Sequence, residues 1–553
     1  PRIDVMLRWQ RLTPLQAIKR TDSKMKMATL RLAALCFMFG SQVAAAQTSP
    51  PALADDLATD KSTLSQANGL LMLDYTKLGL KGGGSFDLLG FHYLHQLNDW
   101  LYLGVGISGP LVEGDYGGFF TVDTTLHAKK RVFDNWFVDA GLSFGGGGGG
   151  ASIRNIKELS GSGRYTKTYL GLGYETNGMY FGVNYSKVSL GNSPINDGAL
   201  NFYVQKPISF WVGSYGDAGS NITAKGVDYR EHDSIISVEL NNLSQIDPKG
   251  SYRGDIGLVS PQFSQFFSKD NYLYFGFDLG YSGLDWYNQI HAGIGRRVSL
   301  SPNFNLYGQL GIGSGGWVTD TIDTGPGLLI YPKVKAEYLW NKNLGVTLSA
   351  GYLTAPKGTS KNWTVGAGLN FRLSADERGS SDAATDRDVT LNGVRVHLYD
   401  QVLFGVSHNG VDINNVNMAT LQLDYEVNRN FYIPFQIAAA TNAFKGYAGY
   451  AEMFVGLGWQ SRFSRLNKLQ TFAQVSYGLN DLGVDKTQDT GPLLNAAIGF
   501  NYGLSDQFAI HGQLSKTTSV NQHIKSNFDK QFDSTSVGLG VTYRFSVPNR
   551  AAQ

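Results

Sequence analysis

The chain has 553 residues, a formal net charge of +2, 17% charged residues and a single cysteine. That length allows several domains, and a balance so near neutrality implies no polyanionic partner such as nucleic acid. Glycine is abundant at 68 residues, as are tyrosine and phenylalanine at 29 and 31.

Residues 1–24 precede Met25 and are assigned no fold; they read as an upstream extension. Residues 25–46 carry a basic start (Lys26, Arg31), an apolar core from Leu32 to Phe39 and a small-residue exit at Ala44 and Ala46. This is the pattern of a secretory signal peptide, too short to span a bilayer, with cleavage expected after Ala46. A lipoprotein reading through Cys36 is disfavoured by the bulky Leu35 before it. The exported chain is then free of cysteine and of disulfides. Residues 47–66 form a periplasmic N-terminal segment.

From residue 67 onward the sequence alternates with period two, the signature of β-strands. In 362–374, Trp363, Val365, Ala367, Leu369 and Phe371 share one face, while Thr364, Gly366, Gly368, Asn370 and Arg372 share the other. In 535–546, Val537, Leu539, Val541, Tyr543 and Phe545 oppose Ser536, Gly538, Gly540, Thr542 and Arg544. A soluble sandwich would alternate as well. Three features favour hydrocarbon outside. The polar face is crowded with Gly, Ser, Thr and Asn, as a narrow lumen requires. Aromatics stand at strand ends in girdle positions: Trp100, Trp136, Trp340 and Trp363. Short turns (133–136, 301–304, 340–343, 504–507) alternate with long loops such as 145–163 and 517–534, as in an up-and-down barrel with its short turns at the periplasm.

The sequence also repeats. "AKKRVFDNWFVDAGLSFGGG" (128–147) recurs as "GRRVSLSPNFNLYGQLGIGSG" (295–315) and as "WQSRFSRLNKLQTFAQVSYG" (459–478). Each unit holds eight predicted strands: unit 1 over 67–209, unit 2 over 234–374 and unit 3 over 395–546, with a tail at 547–553. An even count returns each unit to the periplasm. The joints at 210–233 and 375–394 are therefore periplasmic linkers, and they are long and polar where one large barrel would use short turns. We expect three closed eight-stranded barrels in tandem, the alternative being one barrel of about 24 strands grown by triplication.

Several inward positions carry charge: Asp123, Lys129 and Arg131 in unit 1; Asp278, His291, Arg297, Lys333, Lys335 and Glu337 in unit 2; Asp424, Glu452, Arg462 and Arg544 in unit 3. In a lumen just filled by side chains such charges must pair and plug it; in a merged barrel they would line a wide pore. His92, His95, His291, His397 and His511 lie in strands, but no G-x-S-x-G element and no repeated Ser/His/Asp arrangement accompanies them. No catalytic residue, cofactor or metal site is assigned. The glycine run 145–150 lacks the close of a phosphate loop and reads as a surface loop. The acidic joint (Asp376, Glu377, Asp382, Asp386, Asp388) lacks the ligand spacing of a calcium loop and reads as a solvated tether.

With these strands, girdles and the closing "TYRFS", the sequence resembles Gram-negative outer-membrane β-barrel proteins over essentially all of 67–546, the tandem form resembling multi-barrel members. The resemblance implies residence in the cell outer membrane, contact with lipid and lipopolysaccharide, and recognition by the barrel-insertion machinery through Tyr543 and Phe545, with Phe371 as an internal counterpart. The expected function is non-enzymatic: membrane scaffold, surface contact or limited small-solute conduit. The alternatives are a large-pore porin or exporter and a lipid hydrolase or protease at the barrel rim.

Overall fold

The computed structural model describes residues 64–149, 159, 161–224, 234–284, 287–317, 321–340, 344–372, 387–408, 411–444, 449–462, 468–481, 492–520 and 532–550. The signal peptide, Cys36 and most of the acidic joint lie outside them. Barrel 1 runs β1 (Ser65–Gly79), β2 (Ser85–Gln96), β3 (Leu101–Gly109), β4 (Phe119–Phe133), β5 (Trp136–Gly149), β6 (Arg164–Thr176), β7 (Met179–Leu190) and β8 (Asn196–Val212). A 3-10 turn at Tyr215–Asp217 and a short β9 (Asn221–Ala224) follow. Barrel 2 comprises β10 (Ser234–Gln245), β11 (Ile256–Phe266), β12 (Asn271–Ser282), β13 (Asn288–Ser301), β14 (Phe304–Gly316), β15 (Leu328–Leu339), β16 (Leu344–Thr354) and β17 (Lys361–Arg372). Barrel 3 uses β18 (Arg387–His408), the short flanking β19 (Val411–Ile413), β20 (Val416–Glu426), β21 (Phe431–Ala440), β22 (Ala451–Gln460), β23 (Leu469–Asp481), β24 (Leu493–Gly503), β25 (Phe508–Ser519) and β26 (Phe532–Arg550).

Each unit closes on itself. β1 pairs with β8 (Leu73 opposite Val204), β10 with β17 (Val238 opposite Leu369) and β18 with β26 (Val396 opposite Tyr543). The single barrel of about 24 strands is thereby overturned, because β10 spends its free edge on β17 and not on β8. Closure leaves no unpaired barrel edge.

The barrels are inside-out. Along β17, Trp363, Val365, Leu369 and Phe371 are exposed while Asn362, Thr364, Asn370 and Arg372 are buried. Inward glycines make room for large neighbours. A Cβ on Gly458 would lie 2.1 Å from the Tyr432 ring, and one on Gly295 2.2 Å from the Tyr272 ring.

The strands run beyond the expected unit ends. β8 continues to Val212, β18 starts at Arg387 and β26 reaches Arg550. Below barrel 3, β9 pairs with the start of β18 (Val389 opposite Ile222), so the first joint is partly sheet. The glycine run is a second correction: residues 145–149 are strand, not loop. The reason is proximity. A Cβ on Gly146 would stand 2.5 Å from the Ala440 carbonyl oxygen of barrel 3, so glycine is what lets the two walls touch.

The second to fifth strands of all three units face one another. Phe120 of barrel 1, Phe277, Leu279 and Trp317 of barrel 2, and Ala451 and Met453 of barrel 3 form one apolar cluster. Phe91 meets Phe275 with ring centroids 5.4 Å apart. At the short-turn end, His95 packs on Tyr543 (4.6 Å) and Phe210 on Phe545 (6.0 Å).

Candidate functional site

Each lumen is layered along its axis. At the long-loop end lies a buried apolar cork. Leu78, Phe119, Val188 and Ile195 fill it in barrel 1, Leu243, Ile256, Tyr287 and Leu353 in barrel 2, and Val406, Met418, Phe444 and Phe532 in barrel 3. Most of these side chains sit at the inward positions of strand ends, where period two places them, while Ile195, Tyr287 and Phe444 reach in from the adjoining loops.

The middle layer is polar. In barrel 1, Asp74 on β1 binds Lys167 of β6 and accepts from His92 Nε2 at 2.7 Å. Asp123 accepts from Thr125 at 2.6 Å, and Lys129 Nζ donates to Gln205 at 3.3 Å. In barrel 2, Glu239 on β10 takes both Lys333 (2.6 Å) and Lys335 (2.7 Å) of β15. Glu337, nearer the short-turn end, is a second hub, accepting from Arg372 (2.5 Å), Asn305 and Tyr307 (2.6 Å each) and Asn370 (2.7 Å). Asp278 accepts from Gln289 and lies 3.8 Å from His291 Nδ1. In barrel 3, Asp424 joins Arg395 (2.6 Å) and His397 Nε2 (2.8 Å), and Tyr450 donates to Glu452 at 2.6 Å. Charge placed in a tight interior is tolerable only when paired in this way.

The short-turn end is closed differently in each barrel. Barrel 1 has its own floor of Leu70, Met72, Tyr102, Phe137 and Tyr203, and barrel 2 has Phe266, Tyr272, Tyr274 and Tyr307. In barrel 3, by strand register, Gln470 stands where barrel 1 has Phe137. Barrel 3 keeps the buried Tyr432 at this end, and the rest of the gap is filled from outside. Tyr215 of the first joint is 3% exposed, donates to Glu426 at 2.5 Å and meets Gln470 at 3.3 Å. The Arg544 guanidinium lies 4.9 Å from its ring. Asp506, in the turn before β25, accepts from Ser214 Oγ (2.8 Å) and from the backbone N–H groups of Tyr215 and Gly216 (3.0 Å each). Burial, then the Glu426 carboxylate, push the Tyr215 phenol well above its ordinary pKa, so it stays a donor. The first joint, expected as a long polar linker, is here a strap across the barrel 3 base.

Two of the expected lumen charges are not inside. Arg462 is exposed beyond the end of β22, because the strand stops at Gln460. Arg131 has the inward parity but projects past the short-turn rim, exposed and paired with Glu175. Arg297 lies at the same end, donating to the Lys269 carbonyl at 2.7 Å beneath the Phe266 ring. Arg544 binds the Ser505 and Asp506 carbonyls at 2.6 and 2.8 Å. Trp136 and Trp363 are exposed on β5 and β17, and Trp100 and Trp340 are exposed in the short turns. Tyr543 and Phe545 face barrel 1, and Phe371 is exposed.

The residues that sequence reasoning missed share a location. Asp74, Glu239 and Arg395 sit on the first strand of each unit, with Lys167 and Arg372 as partners elsewhere. Inward parity within those first strands was the available signal.

Among the described residues, His397 reaches both a hydroxyl and a carboxylate: its Nδ1 lies 2.7 Å from Thr542 Oγ1 and its Nε2 binds Asp424. All three are at most 1% exposed and Asp424 is held by Arg395, so the group is a structural network without access for a substrate. Among the described residues, no cluster of three or more His, Cys, Asp and Glu side chains could hold a metal ion.

A polar, filled interior under an apolar outer wall defines a membrane-spanning β-barrel protein, here with three barrels in one chain. The family model described as a protein of unknown function, DUF481, matches residues 380–536, within and just before barrel 3. No curated protein matches. Among solved structures, Neisserial surface protein A is similar at 12% identity over 28% of this chain and 95% of that one, with a TM-score of 0.20. The siderophore receptor PirA from Pseudomonas aeruginosa is similar at 10% identity over 88% and 81%, with a TM-score of 0.26. OccK11 from the same organism is similar at 10% over 88% and 98%, with a TM-score of 0.19. Likenesses this distant carry no reading of function.

Proposed function

We propose that the chain is an outer-membrane scaffold of three non-conducting barrels that presents its long loops at the cell surface and its strapped short-turn end to the periplasm. The observation that carries this reading is the apolar cork in every lumen, stacked on a layer of mutually paired charges. Water and ions crossing such a lumen would have to break the charge pairs and wet a dry plug, and both steps are costly. The outward aromatics near the ends of β17 and β26 support recognition by the insertion machinery.

Planar-bilayer recording of the full chain tests the proposal. A barely conducting or silent protein is expected. Sustained nanosiemens-scale openings would refute it in favour of a conduit.

A further inference from the structure

The outer walls of barrels 2 and 3 each carry a groove, and the two grooves occupy equivalent positions. On barrel 2, Arg296 of β13 stands opposite Gly308 of β14, which stands opposite Val334 of β15. On barrel 3, Trp459 of β22 stands opposite Ala473 of β23, which stands opposite Ile498 of β24. Small outward residues make the depression: Gly308, Pro332 and Ala350 on one barrel, Ala473 and Ala496 on the other. The spaces measure about 680 Å³ and about 910 Å³. A Cβ added at Gly308 would meet nothing within 4 Å.

The grooves differ at one end. Barrel 3 has Trp459 there, a residue type that favours the membrane interface. At the same level barrel 2 has the exposed Arg296, opposite Asn271, which follows the exposed Lys269 and the half-buried Asp270 of the preceding turn. An arginine on a lipid-facing wall is stable when its stem lies along hydrocarbon and its guanidinium meets a phosphate at the headgroup level. Arg296 lines the groove together with the apolar wall of Ile294, Leu310 and Val334, which matches a charged head and a hydrocarbon chain side by side.

We propose that the barrel 2 groove binds one glycerophospholipid of the periplasmic leaflet, its phosphate on Arg296 and one acyl chain lying over Gly308. The equivalent groove on barrel 3 takes only hydrocarbon, since its headgroup position holds Trp459. The inference rests on the membrane reading above.

Native mass spectrometry of the full chain, released from a mild detergent with its co-purified lipid, tests the site. One retained glycerophospholipid is expected. R296Q should lower its occupancy about tenfold or more, through loss of a charge-assisted hydrogen bond. G308L, which fills the groove without a clash, should abolish retention, and Trp459→Ala should leave it unchanged. Heat-modifiable migration of each variant reports folding separately. Retention that survives both R296Q and G308L in folded protein, retention of lipopolysaccharide alone, or a folded wild type that keeps no lipid would overturn the site. A wild type that never migrates as a barrel would instead overturn the membrane reading on which the site depends.

Discussion

Barrel 2 and barrel 3 solve the same problem with different material. Both must fill a narrow lumen and close it at two ends. Barrel 2 does so from within, with Glu239 holding two lysines, Glu337 holding Arg372, and a floor of its own aromatics. Barrel 3 has an amide, Gln470, where a floor aromatic stands in barrel 1, and beside its own buried Tyr432 its floor is completed by Tyr215, which belongs to the joint between the other two barrels. An eight-stranded wall therefore does not by itself determine how it is sealed; the inward residue list does, and a missing member can be supplied by a joint elsewhere in the same chain.

The comparison can be broken most severely inside barrel 2. Glu239→Leu strands two buried lysines, and a loss of about 3–5 kcal/mol is expected; denaturant titration of the heat-modifiable band measures it. Barrel 3 yields next. Tyr215→Ala removes a buried aromatic and three polar partners' contact surface, for about 3 kcal/mol. Limited proteolysis should then cut near residues 213–224 while barrels 1 and 2 stay intact; an unchanged cleavage pattern would remove the strap from the account. Gly146→Val tests the contact between walls. Its side chain would collide with the Ala440 carbonyl, so about 1–3 kcal/mol is expected, read as a lower midpoint of thermal unfolding. The smallest effect sharpens the contrast between lumen and surface. Lys516 pairs with Asp533 in the open, both about half exposed, and Lys516→Gln should cost no more than about 1 kcal/mol. A loss as large as that from Glu239→Leu would contradict the primacy of the lumen pairs.

How much of this was legible in the sequence follows from which face is uniform. Along β14, β17 and β26 the outer face is apolar and the inner face is small or polar, so period two marks the strands, their count and the girdles. Along β1 and β10 the inner face itself turns apolar at its ends, through Leu70, Met72 and Leu78 or Ile235 and Leu243. Both faces then read as greasy, and the one charge between them, Asp74 or Glu239, loses its context. The lysines on β15 were visible, whereas their shared partner was not, because pairing across a lumen has no fixed sequence spacing. The strap was invisible for a different reason: an irregular polar joint has no period, and only contact with barrel 3 distinguishes Tyr215 from a solvated tyrosine.

The glycine-lined approach of barrel 1 to barrel 3 has an evolutionary reading. Three like barrels that share one apolar cluster resemble the subunits of a homotrimer, but identical subunits must all carry the same surfaces. Covalent continuity fixes the stoichiometry at any dilution and releases each copy from that constraint. One copy can keep a glycine run for its neighbour, and another can leave its own base unfinished, because the neighbour is always present.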